Sequence, residues 1–208
     1  MKFRLWSEVV VPVLAAALVA ALVAPVPAMA QFTATYKFLK AVREKDGATV
    51  LDALSDTSSN VVNTRDSSNG QTALHIVTAR RDRDWMEFMI AKGADVNVRD
   101  GHGETPLVVA SNLGFVEGVD VLLQHGARVD EPSSTGETPL IAAVHRRDLA
   151  MMRVLLAGGA NPDRADNSGR SARDYAMLGG KNNSLITVID SASQTQGGHA
   201  AGSYGPRL

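Results

Sequence analysis

Cysteine is absent from this chain of 208 residues, and aromatic residues make up only 5% of it. Without cysteine there are no disulfides, no thiol nucleophile, no cysteine-ligated zinc and no lipid-modified N-terminal cysteine, so packing alone must hold the fold together. The formal net charge of -1 at pH 7 shows no excess of basic residues. A charge balance of this kind gives no support for a nucleic-acid-binding protein, and we predict no nucleic-acid partner.

Sequence motifs of common enzyme classes are also absent. The chain has no G-x-S-x-G elbow, no P-loop and no H-E-x-x-H helix. The histidines are far apart in sequence, at His75, His102, His125, His145 and His199. Folding could bring His102 and His145 together as a surface metal site, but metal ligands normally have carboxylate or other second-layer support, which this pair lacks in sequence. We therefore predict a protein that is not an enzyme and has no cofactor or metal.

The longest uncharged apolar run lies near the N-terminus. Met1 to Ala30 begins with the cations Lys2 and Arg4, continues through the apolar run Val9 to Ala24, and ends on Ala28-Met29-Ala30. This order is typical of a secretory signal peptide with a small-residue cleavage site. We predict cleavage after Ala30 and a periplasmic or secreted mature protein. The alternative is an uncleaved membrane anchor, but 16 apolar residues are fewer than the roughly 20 that cross a bilayer.

Two short patterns recur every 33 residues. The pentapeptide GETPL occurs at Gly103 to Leu107 and again at Gly136 to Leu140. The blocks in register with it are NGQTALHIVTA from Asn69, HGETPLVVASN from His102, TGETPLIAAVH from Thr135 and SGRSARDYAML from Ser168. The second pattern reads KGADVN from Lys92, HGARVD from His125 and GGANPD from Gly158. Two patterns in one register indicate a repeat array.

Each repeat contains signals for two helices. Thr105 and Thr138 precede proline, which favours an N-cap hydroxyl followed by proline at the first helical position. Gly103 and Gly136 suit a turn with positive φ. A second helical pattern covers Val116 to Gln124, and Gly126, like Gly93 and Gly159, follows it as a left-handed C-terminal residue. Each unit is therefore predicted to be helix, turn, helix and an exposed turn.

These patterns resemble the ankyrin repeat, whose T-P-L-H-x-A and G-A-D-V-N landmarks have this period. The resemblance implies an all-α solenoid of about five units, including caps, from an exported bacterial ankyrin-repeat protein. The predicted boundaries are a signal peptide at 1–30, an N-terminal cap and loop at 31–66, repeats at 67–99, 100–132 and 133–165, a C-terminal cap at 166–190 and a disordered tail at 191–208. We expect a monomer without stable membrane insertion.

The sequence departs from the family pattern at several positions. Only His75 keeps the histidine of the T-P-L-H landmark, and we interpret it as a structural residue rather than a ligand. Gly118 lies inside a helix, where it is expected to cost about 1 kcal/mol relative to alanine unless it permits a close approach. Trp85 replaces an aliphatic residue and is expected to pack against the adjacent repeat.

The resemblance implies a protein-binding function, in which a partner contacts the turns at the tips of the repeats and the inner helices. Carried over by position, this predicts a contact surface of Asn69, Gln71, Arg80, Arg81, His102, Glu104, Asn112, Leu113, Thr135, Glu137, His145, Arg146, Arg147 and Arg170. The predicted function is a scaffold, adaptor or inhibitor. The alternative is a ligand- or metal-binding auxiliary factor for a periplasmic enzyme or a stress response.

Two arginine pairs occupy the same position two repeats apart. Arg80-Arg81 and Arg146-Arg147 could frame an acidic partner, because arginine makes bidentate contacts with carboxylates. The other interpretation is a solvated helix end, where the helix dipole favours arginine by about 0.3–1 kcal/mol without any partner. Asp82, Asp84 and Asp148 lie nearby in sequence and are expected to neutralise part of this charge. We favour the helix-end interpretation, since exposed charges are weak indicators of function.

Overall fold

Helices alternate with turns throughout the part of the chain that the computed structural model describes, which is residues 28–55, 60–180 and 183–200. The helices are α1 Ala28–Glu44, α2 Gly47–Ser55, α3 Ala73–Ala79, α4 Arg83–Ala91, α5 Pro106–Asn112, α6 Val116–Gln124, α7 Pro139–His145, α8 Leu149–Ala157, α9 Ala172–Met177 and α10 Ser184–Ala200. A short 3-10 helix covers Val61–Asn63. Within these ranges there is no strand, only an isolated bridge between Ala165 and Ser171. The all-α prediction is confirmed.

The helices form five consecutive pairs stacked side by side. Each odd-numbered helix packs on the even-numbered helix that follows it, and the odd-numbered, or inner, helices pack on one another from α1 to α9. The even-numbered, or outer, helices α4, α6, α8 and α10 form a second layer in the same order. The structure is therefore a two-layer solenoid in which each unit contacts only its neighbours.

Inner helices begin where the sequence predicts. Thr105 Oγ1 accepts a hydrogen bond of 3.3 Å from the Val108 amide, and Thr138 Oγ1 makes the equivalent bond to Ile141. Proline follows each threonine at the start of its helix. Because the first amides of a helix have no partner within it, these hydroxyls satisfy a donor that would otherwise be buried and unpaired.

Outer helices have a cap that sequence reasoning assigned to another role. Asp82 accepts a hydrogen bond of 3.4 Å from the Trp85 amide, and Asp148 accepts one of 3.0 Å from the Met151 amide. Both carboxylates were predicted only to neutralise nearby arginines. As N-caps they also start α4 and α8, which fixes the angle between each inner helix and its outer partner.

Glycine has a specific packing role at one helical position. A Cβ on Gly118 would lie 2.3 Å from the Phe115 ring, so α6 tolerates only glycine beside that buried ring. The prediction of a close approach is confirmed, although the neighbour belongs to the same repeat. The predicted positive φ is also found, at +80° for Gly103, +82° for Gly136, +88° for Gly93, +83° for Gly126 and +89° for Gly159.

Core packing repeats with the sequence. Leu74, Leu107 and Leu140, each one repeat apart, are fully buried. His75 is also fully buried, and its ring nitrogens lie 2.9 Å from Thr72 Oγ1 and 3.0 Å from the Glu104 carbonyl oxygen. Burial lowers the pKa of His75 below its ordinary value. The structural interpretation of this histidine is therefore supported, and its ring joins two consecutive repeats.

Trp85 is half-buried and packs on the hydrophobic core. Its ring meets Phe88 of the same helix edge to face, with ring centroids 6.0 Å apart, and the Arg80 guanidinium lies 5.4 Å from its centroid. This contact holds Arg80 against the solenoid.

Both ends of the described chain bear on the predicted boundaries. Helix α1 begins at Ala28, three residues before the predicted first mature residue, and residues 1–27 of the predicted signal peptide lie outside the described residues. No helix within the described ranges is long and apolar enough to cross a membrane.

At the C-terminal end, the prediction of a disordered tail from Ser191 differs from the structure, in which α10 continues to Ala200.

Contacts anchor α10 as far as Ser193, near the start of the predicted tail. Arg173 of α9 donates a hydrogen bond of 2.6 Å to Asp190, and Ser193 Oγ donates one of 3.0 Å to the Ile189 carbonyl. Ala192 packs on the core. A composition rich in small polar residues did not reveal these contacts, and residues 201–208 of the predicted tail lie outside the described ranges.

Candidate protein-binding surface

Three rows of side chains run across the solvent side of the inner helices, and we call this surface the inner face. One row is at the tips of the turns, one lies along the inner helices, and one is at the helix ends. The tip row is Gln71, Glu104, Glu137 and Arg170; the helix row is Ile76, Val109, Ala142 and Tyr175; the end row is Ala79, Asn112, His145 and Leu178. The four end-row residues are exposed, and Leu178 is 74% exposed.

Aspartates organise the tips. Asp100 Oδ1 accepts hydrogen bonds from the amides of His102 and Glu104, at 2.8 and 3.0 Å, and Asp166 Oδ1 accepts from Ser168 and Arg170 at 2.8 and 3.1 Å. Each carboxylate thereby folds its turn and directs the tip-row side chain. The Ser168 hydroxyl, with Tyr175, lowers the pKa of Asp166 to about 2. Sequence reasoning missed these aspartates, although an aspartate three residues before the turn glycine, as Asp100 is before Gly103 and Asp166 before Gly169, is a recognisable signal.

Hydrogen bonds also tie neighbouring tips together. The Gly101 amide donates to the Asn69 carbonyl at 2.7 Å, and Asn167 Nδ2 donates to the Thr135 carbonyl at 2.9 Å. Between these two junctions, Arg99 donates to the Gly103 carbonyl and, at 3.1 Å, to the Pro132 carbonyl. Asn69 and Gln71 bond to each other, with the Gln71 amide 3.0 Å from Asn69 Oδ1. The row of tips is therefore held as a connected edge, which reduces the entropy lost when a partner binds.

Each glutamate of the two GETPL segments contacts the end of its own inner helix. Glu137 Oε1 lies 2.8 Å from His145 Nδ1, and Glu104 Oε1 accepts a hydrogen bond of 3.4 Å from Asn112 Nδ2. These contacts join the tip row to the end row across the inner face. The variable residue of GETPL is thus part of a defined polar surface.

An aromatic residue extends this surface into the last unit. The Tyr175 ring meets the His145 ring edge to face at 4.4 Å, and its hydroxyl donates a hydrogen bond of 2.8 Å to Asp166 Oδ2. Arg170 lies 5.9 Å from the centre of the Tyr175 ring. Tyr175 was not among the predicted contact residues, because the last repeat lacks the T-P-L-H landmark that marks the other helices.

A cavity of about 120 Å³ lies on the inner face between the third and fourth units. Its wall combines the two GETPL glutamates, hydroxyl residues of one tip and small apolar side chains of the inner helices. The lining residues are Glu104, Val108, Asn112, Ser133, Ser134, Thr135, Glu137, Thr138, Pro139 and Ala142. The structure thus brings four predicted residues, Glu104, Asn112, Thr135 and Glu137, to one cavity, and places His145 at its edge.

Three of the four arginines in the two pairs bond to neighbouring repeats. Arg80 donates to the Val42 carbonyl of the preceding unit and to Asp82, at 3.2 Å for the latter. Arg146 donates a hydrogen bond of 2.6 Å to the Ser111 carbonyl, also one unit back, and Arg81 donates to the Leu113 carbonyl one unit ahead. These side chains connect the ends of neighbouring inner helices. Arg80, Arg81 and Arg146 therefore form bonds between repeats.

Two other predicted residues, Leu113 and Arg147, make no such side-chain bond to a neighbouring repeat. The half-buried side chain of Leu113 packs on the core, and its backbone carbonyl accepts the bond from Arg81. Arg147 is exposed and has a φ of +55°, and its side chain has no hydrogen-bond or ion-pair partner among the described residues.

The alternative prediction of a metal site can be compared with the positions of possible ligands. Among the described residues no three or more His, Asp or Glu side chains are grouped for metal binding. His145 contacts Glu137 and Tyr175.

Comparison with protein families agrees with this architecture. A model of ankyrin repeats in three copies matches residues 38–133, and a model of ankyrin repeats in many copies matches residues 122–176. Together they cover 139 of the 208 residues. The described solenoid therefore consists of ankyrin repeats over residues 38–176.

One curated relative is an ankyrin repeat-containing protein of Schizosaccharomyces pombe. It is 38% identical to this chain over 45 residues, which is 22% of this chain and 22% of the relative. The chain thus spans less than a quarter of the length of that relative, and the similarity concerns the repeat itself.

Proposed function

We propose that this chain is an exported, non-enzymatic protein-binding module that holds its partner on the inner face. Ankyrin repeats indicate a protein-protein interaction module. The observation that carries the proposal here is the inner face itself, where tip-row and end-row side chains are joined by hydrogen bonds and surround a cavity.

The cavities favour a protein partner over a small molecule. The inner-face cavity of about 120 Å³ is smaller than the roughly 300–1,000 Å³ of drug-sized ligand sites. A larger cleft of about 350 Å³ lies beside Lys45, Arg80 and Asp82, but only charged residues line it. Its Lys45 and Asp82 are paired at 2.7 Å, and it lacks the apolar walls of a small-molecule site. The auxiliary-factor alternative therefore has weaker support.

Site-specific photo-cross-linking tests the proposal in living cells. A photoreactive amino acid replaces Asn112, an exposed end-row residue, and a control chain carries it at Asp120 on the outer helix α6. We expect a protein adduct of defined mass from position 112 and a much weaker one from position 120. Adducts of equal yield from both positions, or from neither, would contradict binding through the inner face.

Export is proposed from the signal-like N-terminus and needs its own test. Mass spectrometry of the protein recovered from a periplasmic fraction should find Gln31 as the first residue. Recovery of the chain with Met1 to Ala30 still attached, in the cytoplasm or the membrane, would refute cleavage after Ala30. This result would leave the binding proposal intact, because the cross-linking experiment does not depend on the compartment.

A further inference from the structure

The charge along the inner face changes from unit to unit and limits which partners fit. The tip row reads Gln71, Glu104, Glu137 and Arg170, so two negative positions are followed by one positive position. The end row finishes on Leu178, whose side chain is 74% exposed. The repeated framework requires neither this pattern of charge nor the exposed leucine, because these positions differ from unit to unit.

The cavity between the two negative positions suits a cationic side chain. Each carboxylate uses one oxygen in its bond to the end row, and within the described residues the other oxygen of Glu104 and of Glu137 has no hydrogen-bond partner. None of the ten lining residues is basic. Val108, Pro139 and Ala142 supply apolar wall, which matches the aliphatic stem of lysine or arginine below its charged head.

The last unit offers the second contact. Leu178 lies three residues after Tyr175, one helical turn along the same side of α9. Its exposed side chain, next to the ring that packs on His145, forms an apolar step at the edge of the polar surface. Arg170 lies beside Tyr175, and its positive charge would repel a second basic side chain of a partner at this position.

We propose that the partner binds as an extended segment that places one lysine or arginine between Glu104 and Glu137 and one large apolar side chain on Leu178 and Tyr175. This inference rests on the proposed function and names the chemistry of the partner. Adjacent inner helices lie about 8–10 Å apart, and the cavity lies midway between the first two of the three helices involved. The two contacts are therefore roughly 12–15 Å apart, a span that an extended chain covers in about four or five residues at about 3.3 Å each.

Selection from a random library gives a direct test. A phage-displayed library of random peptides, about 12 residues long, is panned against the full chain. We expect enrichment of one Lys or Arg placed about four or five positions from Leu, Ile, Met or Phe, as the span requires. Enrichment of acidic or purely apolar peptides, or no enrichment, would overturn the inference.

Matched variants identify the residues responsible. For a selected peptide, Glu104→Gln with Glu137→Gln should weaken binding by about tenfold or more in fluorescence anisotropy, and Leu178→Ser by about fivefold. The control, Glu117→Gln with Asp120→Asn, removes the same charge from the exposed side of α6 and should leave affinity within about twofold. Equal losses in the test and control pairs would refute the cavity as the cation site, because only general electrostatics would then be acting.

The outcomes separate this inference from the function on which it rests. If position 112 cross-links to a protein in cells but the selected peptides lack the basic and apolar pair, the binding module stands and the proposed partner chemistry falls. If neither the peptides nor a cross-linked protein is found, both proposals fail.

Discussion

The guanidinium of Arg146 lies 2.6 Å from the backbone carbonyl oxygen of Ser111, one repeat earlier in the chain. This carbonyl, at the end of α5, also accepts a hydrogen bond of 3.0 Å from the Gly114 amide, and the arginine of the next unit adds a second donor. Arg80 makes the equivalent contact with Val42, two repeats away from Arg146. With the bond from Arg81 to Leu113, arginine thus joins three consecutive interfaces of the stack, in addition to the apolar core.

Removal of the Arg146 contact should destabilise the solenoid measurably. Arg146→Ala is expected to lower the free energy of unfolding by about 0.5–1.5 kcal/mol, the usual worth of one hydrogen bond. Arg147→Ala is the matched control, because Arg147 has no such contact among the described residues, and should change stability by less than about 0.5 kcal/mol. Urea denaturation followed by circular dichroism gives both values. Equal effects for the two substitutions would show that the contact contributes nothing.

Backbone strain gives a second prediction, at the turn between the inner and the outer helix of a unit. Arg81 and Arg147 both have a φ of +55°, whereas Gly114, at the same position in the repeat between them, has +64°. A left-handed conformation costs a residue other than glycine about 1–2 kcal/mol, and a substitution by glycine removes this cost. Glycine in turn lowers stability by about 0.5–1 kcal/mol, because it has more conformational freedom in the unfolded chain. Arg147→Gly should therefore stabilise the protein by about 0.5–1 kcal/mol.

Arg81→Gly is the comparison for this second prediction. It relieves the same strain but loses the bond from Arg81 to the Leu113 carbonyl, so it should be about 1 kcal/mol less stable than Arg147→Gly. Thermal and urea unfolding of the two variants side by side would show this order. Arg147→Gly falling below the parent protein would argue against strain at residue 147.

Much of this structure follows from sequence because the repeat needs the same residues each time. Thr105 and Thr138 cap their helices, and Gly93 and Gly126 adopt positive φ, as the 33-residue register predicts. The arginine bonds were not predictable from this register. An arginine side chain is long enough to reach the neighbouring unit, but its acceptor there is a backbone carbonyl, and the residue type does not show which carbonyl is available.

The candidate site was predictable only where the register is intact. Glu104, Asn112, Thr135 and Glu137 were assigned to the surface by position and meet at one cavity. Tyr175 was missed because it lies in the last unit, where the landmark that locates the inner helix has changed. Its contact with His145 depends on the stacking of two units and has no signal in either unit alone.

Gly118 allows a third prediction in which two physical effects oppose each other. Alanine in place of glycine favours a helix interior by about 1 kcal/mol, but the added Cβ would lie 2.3 Å from the buried Phe115 ring. Because overpacking a core typically costs about 1–3 kcal/mol, Gly118→Ala should be destabilising overall.

Gly47→Ala is the control for Gly118→Ala. Gly47 also lies in a helix, and a Cβ there would meet nothing within 4 Å. This substitution should therefore stabilise the protein by about 0.4–1 kcal/mol through the unfolded state. Chemical denaturation of both variants is sufficient, and a gain in stability for Gly118→Ala would mean that the Phe115 ring moves aside without cost.

His75 gives the protein a specific dependence on pH. Burial holds its pKa below 6.5 in the folded state, so between the folded pKa and 6.5 the unfolded chain binds a proton that the folded chain does not. The contribution of neutral, buried His75 to stability is therefore full above about pH 6.5 and falls as the pH decreases through that range, because protons favour the state that binds them.

His75→Gln should be less stable than the parent at pH 7.5, by about 1–3 kcal/mol, since the bonds to Thr72 and to the Glu104 carbonyl are disturbed. As the pH falls to 5.0 the gap between the two proteins should narrow, while the exposed residues His102, His125 and His145 contribute equally to both. Urea unfolding at several pH values between 5.0 and 7.5 measures this gap, and parallel stability curves for parent and variant would show that His75 is not the group responsible.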